Sequence, residues 1–279
     1  MSGEALGRHG AQAFREKHGL GSQPLLDLIT VVEQKCECDI TVLDGSDEAH
    51  GMTVRHGGTT IIGVARSRNP MRQRSTIAHE LGHIWFDDLR DATARTRWAE
   101  RSPEEVRADA FARHLLLPLE AVESHARSRE VDERLLSDLV QTHRVSAAIA
   151  AIQLREAGLI DERTCVDWTR LTTPRLATRF GWSPLYRTLQ VESDTKSPPQ
   201  RLLTRAISAY AEGVVSAATI ARLNGSTDDV QGVRQELADE GIEPRAPETI
   251  QVAIRPRAGA GGLSSIELDE LLGTVTNDE

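Results

Sequence analysis

The chain has 279 residues and a formal charge of −9, with 39% hydrophobic and 27% charged residues. This composition is typical of a globular protein, and the length suits two modest domains or one domain with an extension. No apolar run reaches the roughly 20 residues of a membrane span, and the N-terminal segment does not resemble a secretory signal. The three cysteines, Cys36, Cys38 and Cys165, lack CxxC spacing, which argues against a disulfide framework. We therefore expect a cytoplasmic protein without membrane contact.

The first 70 residues predict two amphipathic helices followed by a small sheet. Gly57-Gly58 lies between two extended segments and indicates a hairpin, and β-branched residues are dense in the second segment. We interpret Asn69-Pro70 as the turn that closes this region. The predicted elements are helices at 5–18 and 24–35 and extended segments at 38–44, 52–58 and 59–67.

Two helices with many ionisable side chains come next. Ser75 is a candidate N-cap for a helix that runs to about Phe86, with apolar residues at helical spacing. Ser102-Pro103 begins a second helix, because a capping residue precedes a proline and two acidic residues. Pro118 ends that helix.

The rest of the chain predicts further helices. Short helices occupy 132–160 with a break at 142–145, and others lie at 200–213, 216–223 and 228–240. The proline-rich stretch 165–200 is predicted to be irregular, and the C-terminal end to be flexible with a short amphipathic turn at 266–272. This order of elements predicts an α+β fold: a small twisted sheet with flanking helices, followed by a helical C-terminal region.

The basic residues are concentrated between Trp168 and Arg205, a range that contains seven Lys or Arg residues and two acidic residues. A solvated surface is the interpretation we favour, because the chain as a whole is acidic and repels nucleic acid. An anionic partner such as DNA is the alternative, and it predicts binding that weakens steeply with salt.

The segment RSTIAHELGHIWF contains His79-Glu80-Leu81-Gly82-His83. Residues i and i+4 share a helix face, so His79 and His83 can present two imidazoles to one ion. Glu80 lies beside them, where it can deprotonate water as a catalytic base. Two nitrogens and one carboxylate suit Zn²⁺ with one position left open, and Mn²⁺ or Fe²⁺ can use similar ligands. The motif therefore predicts a hydrolytic metal site that needs a third ligand.

The helix after Ser102 supplies candidates for that ligand. Glu105 and Asp109 are again four residues apart, so Glu105 can bind the metal while Asp109 accepts a hydrogen bond from a ligand histidine. Glu104 is the competitor, but it is turned by about 100° around the helix from Glu105. His114 lies more than two turns from Glu105, and we interpret it as a core-edge residue.

Arg72 and Arg74 precede the predicted start of the histidine helix. They could bind a substrate carbonyl or carboxylate, but a solvated turn is the interpretation we favour.

The paired segments RQRSTIAHELGHIWF and EEVRADAFARHLLLP, together with the upstream GMTVRHGGTTIIGVARSRNP, resemble the ImmA/IrrE metallopeptidases over roughly residues 20–160. The resemblance implies a zincin-like core, with His79, His83 and Glu105 as metal ligands and Glu80 as catalytic base. It also implies a substrate: members cleave a helix-turn-helix transcriptional repressor and so release stress-response or mobile-element genes. The chain departs from the pattern at Arg107, where many members have a second acid, and at Ser75, where an aromatic is usual.

Three segments are expected: a zincin-like metallopeptidase core at 1–125, a helix-turn-helix-like segment at 126–162, and a mainly helical region with a flexible tail at 163–279. In the middle segment the candidate second helix carries one basic residue, Arg155, which favours packing or repressor docking over reading of DNA bases. The alternative to a zinc endopeptidase is a non-catalytic regulatory module that binds a repressor or DNA through its C-terminal helices.

Overall fold

The computed structural model describes residues 1–45, 51–89 and 102–245. All of its helices and strands lie in one unit, Met1–Pro244, and the remaining unit is Arg245–Glu279. In chain order the elements are α1 (Gly3–Lys17), α2 (Leu28–Cys36), β1 (Cys38–Leu43), β2 (Gly51–His56), β3 (Thr59–Ala65), α3 (Pro70–Phe86), α4 (Pro103–Leu116), α5 (Leu119–Ala126), α6 (Glu133–His143), α7 (Ala147–Glu156), α8 (Glu162–Thr169), α9 (Thr173–Arg179), α10 (Ser183–Ser193), α11 (Gln200–Ala211), α12 (Ala217–Leu223) and α13 (Val230–Asp239).

The α+β prediction is confirmed, with a three-stranded sheet of order β1-β3-β2. β2 and β3 form the predicted antiparallel hairpin, in which Gly57 and Gly58 both have the positive φ that a two-residue turn requires. β1 pairs with β3 in parallel, and its outer edge is covered at Ser197. β2 is therefore the edge strand that remains beside the histidine helix.

The histidine helix α3 begins at Pro70, so the predicted start at Ser75 is wrong. Asn69 is the N-cap: its side chain accepts a hydrogen bond from the Arg72 amide, and Pro70 occupies the first helical position. Asn-Pro is typical of a turn, but the pair is also a favourable helix start, because proline fixes φ and lacks the amide that would be unsatisfied there. Ser75 lies inside the helix, and its hydroxyl donates to the Arg72 carbonyl at 2.9 Å.

α4 packs closely between α1 and α3 through small residues. A Cβ atom at Gly7 of α1 would lie 2.3 Å from the Arg107 carbonyl oxygen, and one at Gly82 of α3 would lie 3.2 Å from the Ala108 Cα. A side chain at Gly7 would collide with the backbone of α4, and one at Gly82 would require α3 and α4 to separate by a few tenths of an ångström. Gly82 belongs to the HELGH motif, and its missing side chain lets α4 approach the two histidines.

The prediction of an irregular stretch at 165–200 is wrong, because α8, α9 and α10 occupy most of it. Pro174 and Pro184 lie in the first turns of α9 and α10, where proline does not interrupt helical hydrogen bonds. These helices belong to the main hydrophobic cluster, whose members also come from the predicted core and from the middle segment. The boundaries at 125/126 and 162/163 stay predictions.

α11, α12 and α13 contain a second, smaller hydrophobic cluster that includes Tyr210, Ile220 and Leu237. The predicted helices at 200–213, 216–223 and 228–240 agree with these elements within two residues. The predicted turn at 266–272 lies outside the described residues. Across the ranges that are described, no helix is both long enough and apolar enough to traverse a bilayer.

Candidate metal centre

α3 places the two predicted histidines on one face and directs them toward each other. The Nε2 atoms of His79 and His83 are 3.1 Å apart. Both side chains are mostly buried, with 21% and 11% exposed. Two imidazole nitrogens therefore converge on one small volume at the edge of the core.

Glu105 brings a carboxylate to the same volume from α4. Its oxygens lie 3.2 Å from His79 Nε2 and 3.8 Å from His83 Nε2. One atom from each of the three residues lies within 4.8 Å of the other two, which is compatible with a single bound ion. Ser102 fixes the start of α4, because its hydroxyl accepts from the Glu105 amide at 3.4 Å.

The outer nitrogen of each histidine is held by an aspartate. His79 Nδ1 is 2.9 Å from an oxygen of Asp109, as the sequence predicted, and His83 Nδ1 is 2.8 Å from an oxygen of Asp88. Because a carboxylate accepts hydrogen bonds, each Nδ1 carries the proton, and in the neutral ring each Nε2 presents a lone pair. Two lone pairs and a carboxylate then face one another, and a cation satisfies all three. These donors fit a divalent metal of the Zn²⁺, Mn²⁺ or Fe²⁺ type.

The charges around His79 also favour a cation. Burial, the largest single influence, lowers the pKa of His79, but the hydrogen bonds that its ring donates to Asp109 and Glu105 and the charges of Asp109 and Glu80 outweigh it. The net effect raises the pKa to about 10. The surrounding carboxylates therefore favour positive charge at this point, carried either by a second proton on Nε2 or by a metal ion that takes the place of that proton.

Glu80 is held on the side of α3 that faces the edge strand. The Thr53 hydroxyl of β2 donates to Glu80 Oε2 at 2.7 Å. A Cβ atom at Gly51 would lie 2.4 Å from Thr76 Cγ2 and 3.2 Å from the other Glu80 oxygen, so glycine lets β2 lie close to this face of α3. Thr53 was missed in the sequence, where it is one of several β-branched residues in a predicted strand.

Asp88 was also missed, although it lies only five residues after His83. It follows α3, where Asp87 has a left-handed φ of 54° that reverses the chain. The helical pattern in the sequence ends at about Phe86, and it does not reveal the reversal of the chain. An acidic residue just beyond the helix end is the only sequence signal that points to it.

Arg74 does not lie in a solvated turn, so the favoured interpretation of this residue is wrong. Its guanidinium donates to the carbonyl oxygens of Leu25, Leu26 and Arg144. Burial lowers its pKa to about 10. Arg74 therefore joins three segments of the core and is already occupied by backbone acceptors.

A second cluster of potential ligands contains Glu4, His114 and Glu156. His114 is only 4% exposed, and its Nε2 lies 3.3 Å from Glu156 and 3.7 Å from Glu4. The Gln153 amide nitrogen is 3.1 Å from His114 Nδ1 and also donates to the Leu117 carbonyl, so Nδ1 is the acceptor and Nε2 keeps the proton. Arg113 contacts both carboxylates. This cluster is an ion-pair network, and His114 belongs to the core edge as predicted.

Several side chains of the basic stretch form ion pairs within the chain. Arg179 pairs with Glu133, and Lys196 and Arg201 pair with Asp44 and Asp39. Their positive charge is thus partly neutralised by the protein itself, which weakens the case for an anionic partner.

Of two comparisons with known proteins, one matches the part of the chain that contains the candidate metal centre. A comparison with curated proteins gives no match. Residues 36–155 match the family model of peptidase M78, described as the IrrE N-terminal-like domain. The matched range contains α3 and α4, and so the two histidines, Glu80 and Glu105. Residues 36–155 are therefore similar to the IrrE N-terminal-like domain of the M78 peptidases, which agrees with the resemblance found in the sequence over roughly residues 20–160.

Proposed function

We propose that the chain is a zinc-dependent endopeptidase that cleaves a helix-turn-helix transcriptional repressor in the cytoplasm and so derepresses stress-response or mobile-element genes. The observation that carries the hydrolytic part is the convergence of His79 Nε2, His83 Nε2 and Glu105 within 4.8 Å, with the Glu80 carboxylate on the same helix. The repressor substrate follows from the resemblance of residues 20–160 to the ImmA/IrrE family.

The residues of the site have distinct roles in this proposal. His79, His83 and Glu105 hold the metal, and Asp109 orients His79 through the 2.9 Å contact with its Nδ1. A bound zinc ion supplies Lewis acidity for activating water and the scissile carbonyl. Glu80 takes the proton from the attacking water and delivers it to the leaving amine. Thr53 keeps the Glu80 carboxylate oriented during both transfers.

The middle segment is more consistent with packing or docking than with DNA reading. The helix that would read bases, α7, buries Ala147, Ala150 and Leu154. Gln153 of this helix contacts His114, and its single basic residue, Arg155, pairs with Glu162 at 2.8 Å. A helix that uses these side chains inside the protein has few left for a DNA groove.

The experiment compares wild-type protein with Glu80→Gln, which removes the base and leaves the three ligands. Each zinc-loaded protein is added to native extract of the source cells in H₂¹⁸O, and new peptide termini are identified by mass spectrometry. We expect ¹⁸O-labelled termini in a helix-turn-helix protein with the wild type, and a loss of about 100-fold or more with Glu80→Gln at equal zinc content.

Two results would count against parts of the proposal. If zinc-loaded wild type produces no new termini, the endopeptidase function is wrong and the non-catalytic regulatory module becomes the better explanation. If Glu80-dependent termini appear only in proteins without a helix-turn-helix, the peptidase function stands and the repressor substrate is wrong.

A further inference from the structure

Just after the end of α3, Asp88 contacts the ligand histidine His83, although the sequence did not predict a role for Asp88. The Asp88 amide donates to the His83 carbonyl at 3.1 Å, while the Asp88 side chain holds His83 Nδ1 at 2.8 Å. The same residue therefore contacts His83 through backbone and side chain together. This is possible because Asp87, with φ of 54°, turns the chain back over the last helical turn.

Arg107 of α4 completes the arrangement from the opposite helix. Its guanidinium donates to the second oxygen of Asp88 and lies over the Phe86 ring, 4.5 Å from the centroid. The three side chains are largely enclosed, with 11% of His83, 15% of Asp88 and 23% of Arg107 exposed. A buried carboxylate between a cation and an N–H donor has one favourable orientation.

We propose that Asp88 and Arg107 are positioning residues for the metal centre: Asp88 fixes the ring orientation and tautomer of His83, and Arg107 fixes Asp88. The inference rests on the proposed function, since it assigns their role toward the same metal. It also explains the departure from the family pattern at Arg107. The arginine that stands in place of a second acid is the counterion of Asp88, which follows the C-terminal end of α3.

The rings of His79 and His83 are thus oriented by different side chains. His79 is held by Asp109, which belongs to the same helix as the ligand Glu105. His83 is held by Asp88, whose place depends on Arg107 of that helix. Asp109 and Arg107 both belong to α4. The packing of α3 on α4 therefore sets the spacing of all three ligands.

The test measures metal affinity, which does not require the protease substrate. Zinc-free wild type, Asp88→Asn, Asp88→Ala and the control Asp87→Asn are titrated with Zn²⁺ against a chromophoric chelator. Asp87 is the matched control, because it is the neighbouring aspartate, is 79% exposed and pairs with Arg55. We expect affinity to fall about 10- to 100-fold in both Asp88 variants and to stay within about 2-fold in Asp87→Asn.

A second comparison separates orientation from charge. Arg107→Lys keeps the positive charge but loses the planar guanidinium, so a drop in affinity reports geometry. We expect a loss of about 3-fold or more when Asp88 is present and no change in an Asp88→Ala background. The visible spectrum of the Co²⁺ form provides a further signature, since an altered His83 orientation changes the ligand field of Asp88→Asn.

The outcomes distinguish this inference from the proposed function. If wild type binds no zinc, the metallopeptidase proposal fails. If wild type binds zinc, and folded Asp88→Asn binds it equally tightly with an unchanged Co²⁺ spectrum, the positioning role of Asp88 is wrong while the proposed function stands. Equal effects of Arg107→Lys in both backgrounds would show that Arg107 does not act through Asp88.

Discussion

Two clusters of histidine and carboxylate groups lie along α4, and they have opposite chemistry. At its N-terminal end, Glu105 faces His79 and His83, whose Nδ1 atoms are both held by aspartates. At its C-terminal end, His114 faces Glu4 and Glu156, but its Nδ1 faces the donating amide of Gln153. The first arrangement leaves Nε2 lone pairs for a metal, while the second leaves a proton on Nε2.

The arginine beside each cluster also has a different partner. Arg113 contacts both carboxylates of the second cluster, whereas Arg107 contacts Asp88, the aspartate that holds His83 in the first cluster. Residue types alone would make either cluster a candidate metal site. The groups around each histidine decide which of its two ring nitrogens is available to a metal.

The largest expected effect concerns metal content. We expect about one zinc per wild-type chain, none in His79→Ala, and about one in His114→Ala, because only the first cluster has lone pairs directed at an ion. Metal analysis after equilibrium dialysis measures this, with circular dichroism as a check on folding. Two zinc ions in wild type, with one lost in His114→Ala, would break the distinction between the clusters.

A smaller effect is expected on stability. Arg113→Met leaves Glu4 and Glu156 without their shared cation, and we expect the free energy of unfolding of metal-free protein to fall by about 2 kcal/mol. Arg129→Met is the control, because its pair with Asp138 is more exposed and contributes at most about 1 kcal/mol. Urea denaturation measures both. Equal losses in the two variants would contradict a structural role for the second cluster.

The smallest effect concerns acid stability. A hydrogen bond from His114, followed by the charges of His114 and Arg113, lowers the pKa of Glu156 below its usual 4.5. The folded state then binds this proton less readily than the unfolded chain, so the contribution is present above about pH 4.5 and is lost as the pH falls through the lowered pKa.

We therefore expect Glu156→Gln to lose stability less steeply than wild type below pH 4.5, as measured by thermal unfolding of metal-free protein. The first cluster is identical in the two proteins, so any contribution that it makes to the pH dependence cancels in the comparison. Parallel pH profiles of the two proteins would show that Glu156 is not held by the network.

Local patterns predicted most of the elements and the residues that meet at the candidate centre. The i, i+4 spacing placed His79 with His83 and Glu105 with Asp109 on helix faces, and turn glycines placed the hairpin. Errors arose where one sequence signal has two meanings. Asn69-Pro70 is a helix start as well as a turn pattern, and prolines at 174 and 184 begin helices that the sequence interpretation missed.

The sequence by itself determined which side chains share a helix face, since helix geometry fixes that relation over a few residues. Only the tertiary structure decided that α4 approaches α3 at Gly82, that Asp88 turns back onto His83, and that Arg107 crosses to meet it. It also decided that Arg74 is enclosed by carbonyls and that His114 is held by Gln153. These contacts depend on how separate elements pack together, and helical or strand periodicity carries no information about that packing.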